Sequence, residues 1–359
     1  MKLNINKLKK LLKKRKIDVG LIINSRLNDP SFFYFADVIP EHAFMFVSSK
    51  FPTRIYCSAL ECEQKKKQSS IKNFKELNKK AIDNIKLLIK KHKIKKIGLN
   101  FSYVTVSEHK RLKKLFSGIK IVDLSQDLKQ LRAIKTKKEI LLYKQASKLT
   151  ETVWAKTINA IKKHKLKTEL QVKEFIEAEI EKDGYKTSFP LIVASGKNAA
   201  IPHYSPRQNK LKGFCVVDFG INYNGYCTDI TRTFFVGKST KKEIELYNLV
   251  NNAKNYASTL ITPGKRTAFV TKKTRQALGK YEKYFTHGLG HGIGLEIHEF
   301  PNLKTEAKDK FYPGMIFTIE PGIYIKNKLG IRIEDDYLLG EKGLIQLTKA
   351  PKDLVVINR

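Results

Sequence analysis

Residues 213–237 read GFCVVDFGINYNGYCTDITRTFFVG, two apolar, β-branched runs around a hairpin-turn composition at 222–225, with one aspartate in each run, Asp218 and Asp229. Residues 314–340, GMIFTIEPGIYIKNKLGIRIEDDYLLG, repeat the pattern around 327–330, with Glu320 in one run and Glu334 in the other. Each hairpin follows a helical pattern, over 137–183 in the first case and 241–260 in the second. A carboxylate inside an apolar strand is costly unless something pairs with it. A single one reads as a buried ion pair, with Arg232 or Arg332 as partner. Four, distributed over two similar halves, read as one acidic pocket built from both.

Between the hairpins lies THGLGHGIGLEIHE, residues 286–299, with three histidines and a glycine at every second position from 288 to 294. The spacing of His287 and His291 invites comparison with the helical zinc-protease pattern H-E-x-x-H, but Gly288 stands where the glutamate would be. Alternating glycines also cost a helix about 1 kcal/mol each relative to alanine. The helical reading therefore fails on both counts. Carboxylates with one imidazole suit manganese, cobalt or zinc, and four carboxylates nearly neutralise two divalent ions.

Working outward, 359 residues leave room for two domains. Strand patterns at 18–24, 43–49, 53–58, 96–100 and 120–125 alternate with helical patterns at 5–15, 71–92 and 105–116, which predicts an α/β domain over residues 1–128. A second domain is expected over 132–359, its first helix announced by a capping box at Thr136 and Glu139. The four cysteines form no CxxC pair, and lysines interrupt the apolar residues of the N-terminal stretch. A cytoplasmic protein without membrane contact is expected. The net charge of +36 is carried by 59 lysines and only 11 arginines, spread along the chain. Planar recognition of phosphates and bases favours arginine. Solvated lysine faces are expected, with no specific nucleic-acid partner.

The ordered segments VVDFG, TDITRT, HGLGHGIGLEIHE, TIEPG and GIRIEDD resemble the pita-bread-fold metallopeptidases, the family of aminopeptidase P, prolidase, methionine aminopeptidase and the metal-free creatinase. The first 128 residues resemble the creatinase/prolidase N-terminal domain in pattern. The fold implied is that α/β domain followed by an α+β pita-bread catalytic domain with an internal pseudo-two-fold repeat. The resemblance implies that Asp218 chelates one metal, that Asp229 and Glu334 bridge two, and that His291 and Glu320 bind the other. It implies two divalent ions, manganese first and cobalt or zinc as alternatives. His298 and His203 match histidines that stabilise charge developing at the scissile amide, and Glu320 matches the proton shuttle. His287 resembles an outer-cavity histidine, and Arg332 a partner that orients the bridging carboxylates.

The reaction so implied is hydrolysis of the bond between an N-terminal residue and proline, in a proline-containing peptide. A homodimer is also implied, with a loop around Phe33 and Tyr34 approaching the neighbouring site, although SFFYF reads more readily as ordinary core. Some prolidases continue H-E-x-P-R after the substrate histidine. Here the segment is HEFPN, so Asn302 stands where a cation would meet the carboxylate of a dipeptide. Two other readings use the same residues: a metal-dependent hydrolase or lyase of a small metabolite, and a binding module without activity.

Overall fold

A strand that is apolar at successive residues needs cover on both faces. In the computed structural model, which describes residues 2–358, VGLIIN is such a strand: β1, Val19–Asn24, is buried at all six positions. The helix before it, α1 (Lys2–Lys14), lays Leu8 and Leu12 against Gly20 on one face. There follow α2 (Pro30–Ala36), β2 (Ala43–Val47), β3 (Arg54–Cys57), α3 (Ala59–Gln68), β4 (Phe74–Glu76), α4 (Lys79–Lys91), β5 (Lys96–Leu99), α5 (Val106–Leu115), β6 (Lys120–Asp123) and α6 (Ser125–Ala133). The strands form one sheet in the order β4-β3-β2-β1-β5-β6, with β1, β5 and β6 parallel. On the other face of β1, Leu21 and Ile23 share a core with Ile85 and Leu88 of α4 and Leu112 of α5.

Several segments differ from the sequence pattern, which also gave no sign of α3 and α6. The helix expected over 71–92 begins only at Lys79, where the Asn78 side chain accepts from the Ala81 amide at 2.9 Å. The residues before it pair Phe74 with Ile55 at the sheet edge, because an apolar residue that continues a helical stripe also suits a strand. SFFYF is helical: Asp29 caps α2 by accepting from the Ser31 amide at 2.8 Å, and Pro30 takes the first turn. Phe32, Tyr34 and Phe35 are buried, Phe33 is half-buried, and the Tyr34 hydroxyl donates to the Leu131 carbonyl at 2.8 Å.

The chain divides into two units, Met1–Arg132 and Ala133–Arg359. The second opens with α7 (Lys137–Lys162), capped reciprocally by Thr136 and Glu139, and α8 (Glu169–Glu181). The helical pattern over 137–183 is thus broken, at a turn where His164 takes a φ of 56° and Thr168 caps the next helix. After them come β7 (Lys186–Thr187), β8 (Ile192–Ser195), β9 (Gly213–Phe219), β10 (Ile221–Tyr223), β11 (Tyr226–Cys227) and β12 (Ile230–Val236). The second half consists of α9 (Lys241–Thr259), α10 (Thr267–Ala277), β13 (Gly290–Gly292), β14 (Glu299–Leu303), β15 (Ile316–Ile319), β16 (Gly322–Ile325), β17 (Leu329–Arg332), β18 (Asp335–Gly340), β19 (Gly343–Gln346) and β20 (Val356–Ile357).

The two hairpins share one construction. A main ladder, β9 with β12 or β15 with β18, gives way after a break to a distal ladder, β10 with β11 or β16 with β17. Each lies under its own helix pair. Trp154, Ile161 and Val172 pack on Val217, Phe219 and Phe234 in the first half. Tyr247, Val250 and Val270 pack on Phe317, Ile319 and Leu339 in the second. The hairpins are then laced together: the Glu334 amide donates to Thr231 O at 3.1 Å, and the Thr233 hydroxyl donates to Arg332 O at 2.8 Å.

Candidate metal centre

The breaks in the hairpins carry the acids. Asp218 lies within β9, opposite Thr231, but Asp229 falls just before β12, Glu320 between β15 and β16, and Glu334 between β17 and β18. Three of the four therefore stand where the ladder is interrupted rather than inside a strand as the apolar runs suggested. The interruption has its own partners. The Asp229 amide donates to Asp336 Oδ2 at 3.0 Å, and the Glu320 amide donates to Leu289 O at 2.8 Å. Each backbone donor freed from its ladder is thus satisfied by a distant segment, which fixes where the acid points.

Asp229, His291 and Glu334 each offer a ligand atom, and these atoms lie within 4.8 Å of one another. His291 Nε2 is 3.6 Å from Asp229 Oδ2 and 3.5 Å from Glu320 Oε1. Its Nδ1 lies 3.1 Å from Gly292 O, so Nδ1–H donates there and the Nε2 lone pair faces the carboxylates. The glycines around His291 are needed for close approach. A Cβ on Gly290 would stand 2.1 Å from Thr318 O, and one on Gly292 would stand 2.1 Å from Phe300 O. Only bare backbone lets β14 and β15 close on β13 from both sides. Glu299, beside His298, has a structural part: it is buried against Lys135 at 3.4 Å and accepts the Leu295 amide at 3.2 Å.

Arg332 is the hub behind the acids. Its guanidinium donates to Asp218 Oδ2 at 2.6 Å, to the Tyr324 hydroxyl at 2.7 Å and to Thr231 Oγ1 at 3.0 Å. Thr231 Oγ1 donates in turn to Glu334 Oε2 at 2.6 Å. Arg332 therefore reaches Asp218 directly and Glu334 through a hydroxyl. The Tyr324 hydroxyl lies 2.8 Å from His287 Nε2, while His287 Nδ1 lies 2.8 Å from Gly288 O. With the imidazole neutral, Nδ1–H donates to the carbonyl and Nε2 accepts from Tyr324, so both ring nitrogens are engaged. Thr231 and Tyr324 were not singled out in the sequence, where a strand threonine and a tyrosine in an apolar run look like packing residues. Their signal is even-numbered spacing from the acids: Thr231 stands two after Asp229 and Tyr324 four after Glu320.

The site is short of positive charge. Burial, reinforced by the neighbouring carboxylates, pushes Asp229 and Glu334 well above the ordinary carboxylate range. Burial pushes Glu320 up to about 8 against the opposing pull of Arg332. Burial also holds His291 and His287 down at about 3, so both are neutral. Asp218 Oδ1, Asp229 Oδ1 and Glu334 Oε1 are buried and accept no hydrogen bond. Orphaned carboxylate oxygens beside an unprotonated imidazole nitrogen form a donor set that divalent cations satisfy, so the residues fit the metal chemistry expected of them.

The remaining expected residues lie at the open side. The His298 ring packs edge-on against His291, with centroids 4.4 Å apart, and its side chain is exposed. His203 is exposed too, near enough for a charge on it to oppose one on His298. Its neighbour Pro202 offers a carbonyl 3.4 Å from Arg332 Nη1. Asn302 faces His291 in the β13–β14 register, but at an exposed position, and both its backbone and side-chain nitrogens donate to Asp309 Oδ2, at 2.8 and 3.3 Å.

Comparison with known proteins agrees with this construction. Residues 142–341 match the model of metallopeptidase family M24, and residues 4–134 match the creatinase/prolidase N-terminal domain. A Xaa-Pro dipeptidase of Pyrococcus furiosus is 32% identical over 99% of this chain and 100% of its own length. Among solved structures, a Xaa-Pro dipeptidase from Bacillus anthracis superposes with a TM-score of 0.90 at 31% identity, covering 98% of this chain and 99% of that one. An X-Pro aminopeptidase from Thermotoga maritima superposes at 0.86 with 29% identity, over 96% and 99% of the two chains. The chain belongs to metallopeptidase family M24, with the creatinase/prolidase N-terminal domain and the pita-bread fold.

Proposed function

We propose that this metallopeptidase hydrolyses the bond between an N-terminal residue and proline in short peptides, and that Asp218, Asp229, His291, Glu320 and Glu334 hold two divalent ions, manganese first. The observation that carries the reading is the set of three buried, unpartnered carboxylate oxygens on Asp218, Asp229 and Glu334, of which Asp229 and Glu334 share with His291 a group of ligand atoms within 4.8 Å of one another. Bound divalent ions supply a water acidic enough to serve as nucleophile near neutral pH. Glu320, within reach of that cluster, takes the proton of the attacking water and delivers it to the leaving nitrogen. His298 and His203 donate from the open side to the oxygen on which charge develops, a contribution often worth about 3 kcal/mol per donor. Arg332 and Thr231 hold Asp218 and Glu334 in place while the charge shifts.

The named relatives act on Xaa-Pro substrates, which supports the same substrate class here. The four cysteines are buried and form no disulfide among the described residues, which supports a reducing, cytoplasmic setting, and no helix of the described residues is long and apolar enough to cross a membrane. A homodimer belongs to the same reading. The test is metal analysis and turnover together. The manganese-reconstituted protein should carry two ions per chain, lose activity in chelator and cleave Ala-Pro or Ala-Pro-Ala, while Asp229→Ala should lower occupancy at both positions. A single tightly bound ion with full activity would sink the dinuclear assignment. Failure on every Xaa-Pro substrate with manganese, cobalt and zinc would favour a metabolite hydrolase.

A further inference from the structure

Glu169 is a carboxylate with no exposed surface, at the first position of α8, and the chemistry above makes no use of it. One oxygen, Oε1, accepts from the Ser195 amide at 2.9 Å, the Ser195 hydroxyl at 3.0 Å and Asn198 Nδ2 at 3.0 Å. The other, Oε2, accepts from Asn209 Nδ2 at 3.0 Å and the Arg207 amide at 3.4 Å. The two oxygens thus hold the two ends of a single excursion of the chain. Ser195 closes β8, Asn198 lies in the helical turn Gly196–Ala200, and Arg207 and Asn209 lead back towards β9. Between the two anchor points run Ile201, Pro202, His203, Tyr204 and Ser205, the stretch that presents His203 and lends the Pro202 carbonyl to Arg332.

The backbone repeats the arrangement. The Glu169 amide donates to Asn209 O and the Leu170 amide to Arg207 O, both at 3.0 Å, while the Leu211 amide donates to Lys167 O at 2.9 Å. The returning end of the excursion is therefore held by main chain and carboxylate, but the leaving end meets Glu169 through its side chain. Hydrogen bonds to a buried carboxylate are charge-assisted, and deleting it would leave several donors unpaired at once. Most of those donors are amides and hydroxyls of the excursion itself, so the loss falls on that stretch rather than on the acids of the metal centre.

We infer that Glu169 is the positioning residue for the His203 loop, clamping both of its ends so that the histidine stands at a fixed place over the reacting amide. The inference rests on the role given to His203 above, and its test separates the two. In the metal-loaded, full-length enzyme, Glu169→Ala should raise amide hydrogen exchange over residues 196–210 by at least about 10-fold. The strands around His291 should keep their protection, and metal content should be unchanged. Turnover of Ala-Pro should fall about 10²-fold, mainly in kcat, and adding Glu169→Ala to His203→Ala should cost little more than His203→Ala alone. Glu169→Gln should be the milder variant with a specific footprint. Its carbonyl still serves Ser195 and Asn198, whereas its NH2 would face Asn209 and the Arg207 amide, so exchange should rise at the returning end only. Should Glu169→Ala not fold, Asn198→Ala and Asn209→Ala each withdraw one donor and should reproduce the effect in part. Unchanged exchange over 196–210, or losses that multiply in the double variant, would overturn the inference. Wild-type turnover by His203→Ala would instead remove the role given to that histidine and leave the exchange result to decide on the clamp: it stands if the loop opens and falls if it does not.

Discussion

Thr231 and Glu334 come from different hairpins and meet at 2.6 Å, hydroxyl to carboxylate, with the Arg332 guanidinium 3.0 Å behind the hydroxyl. The pair ties the two halves together at the point where both contribute acids. Thr231→Val keeps the shape and removes the relay, leaving Arg332 Nε without its acceptor. The expected outcome is a 10- to 100-fold loss of metal affinity, the usual effect of removing a group that orients a ligand. A stability loss of about 1–3 kcal/mol should accompany it. Competition with a chromogenic chelator and denaturant unfolding of the metal-free protein measure the two effects separately. Unaltered metal affinity would mean that Glu334 is held by other contacts.

His298 packs edge-on against His291 and is open to solvent, so it can reach substrate without serving as a ligand. His298→Ala should lower kcat by about 10² or more with little change in bound metal, the pattern of an interaction made only in the transition state. Loss of metal in this variant would reassign the histidine as a support for His291.

The acids of this site were legible in the sequence because Asp218, Asp229, Glu320 and Glu334 violate the apolar pattern of their runs, and a buried charge demands a partner. Apart from Arg332, what holds them in place was not. Thr231 and Tyr324 obey the pattern, since a threonine in a strand and a tyrosine beside isoleucines look like packing. Glu169 is hidden for the opposite reason, because an acid in the first turn of an amphipathic helix normally stabilises the helix end and faces water. The ladder breaks were hidden as well: the partners of the Asp229 and Glu320 amides are Asp336 and Leu289, far away in sequence. The strand at Phe74 was lost because the same apolar residue satisfies a helical and an extended reading, and only its neighbour Ile55 decides between them.

In the first unit, Asp18 offers a prediction on pH. Its carboxylate accepts from the Lys95 and Lys96 amides, both at 2.9 Å, and pairs with Lys50 at 2.6 Å, joining the start of β1 to that of β5. Burial alone would raise its pKa, but Lys50 and the two amides outweigh it and hold the group below the ordinary carboxylate range. A carboxylate depressed on folding lends stability that is fully present above its unfolded pKa of about 3.9 and is lost as pH falls through the lower folded value. Asp18→Asn should therefore melt below the wild type at pH 7, with the gap narrowing as pH drops below about 4. Thermal melts of both proteins across that range check this, and a gap that widens in acid would contradict the assignment.

Asn302 and Asp309 bear on substrate length. The Asn302 amide nitrogen already donates to Asp309 Oδ2 at 3.3 Å, and its backbone N–H reaches the same oxygen at 2.8 Å. A dipeptide's free carboxylate approaching this position would meet no cation from Asn302, a donor already engaged, and the negative charge of Asp309. The charge-assisted contact that would favour dipeptides is therefore missing here. The expected enzyme accepts Ala-Pro and also removes the first residue of Ala-Pro-Ala, with a modest ratio of kcat/KM between Ala-Pro and Ala-Pro-amide. Amidation is the informative change because it removes the charge and keeps the proline ring. Asp309→Asn should shift that ratio several-fold towards the free acid by removing the opposing charge. A preference for Ala-Pro above about 10³, equivalent to ~4 kcal/mol, would show that another cation, such as Lys304, supplies a dedicated clamp, and the reading of Asn302 would then be wrong.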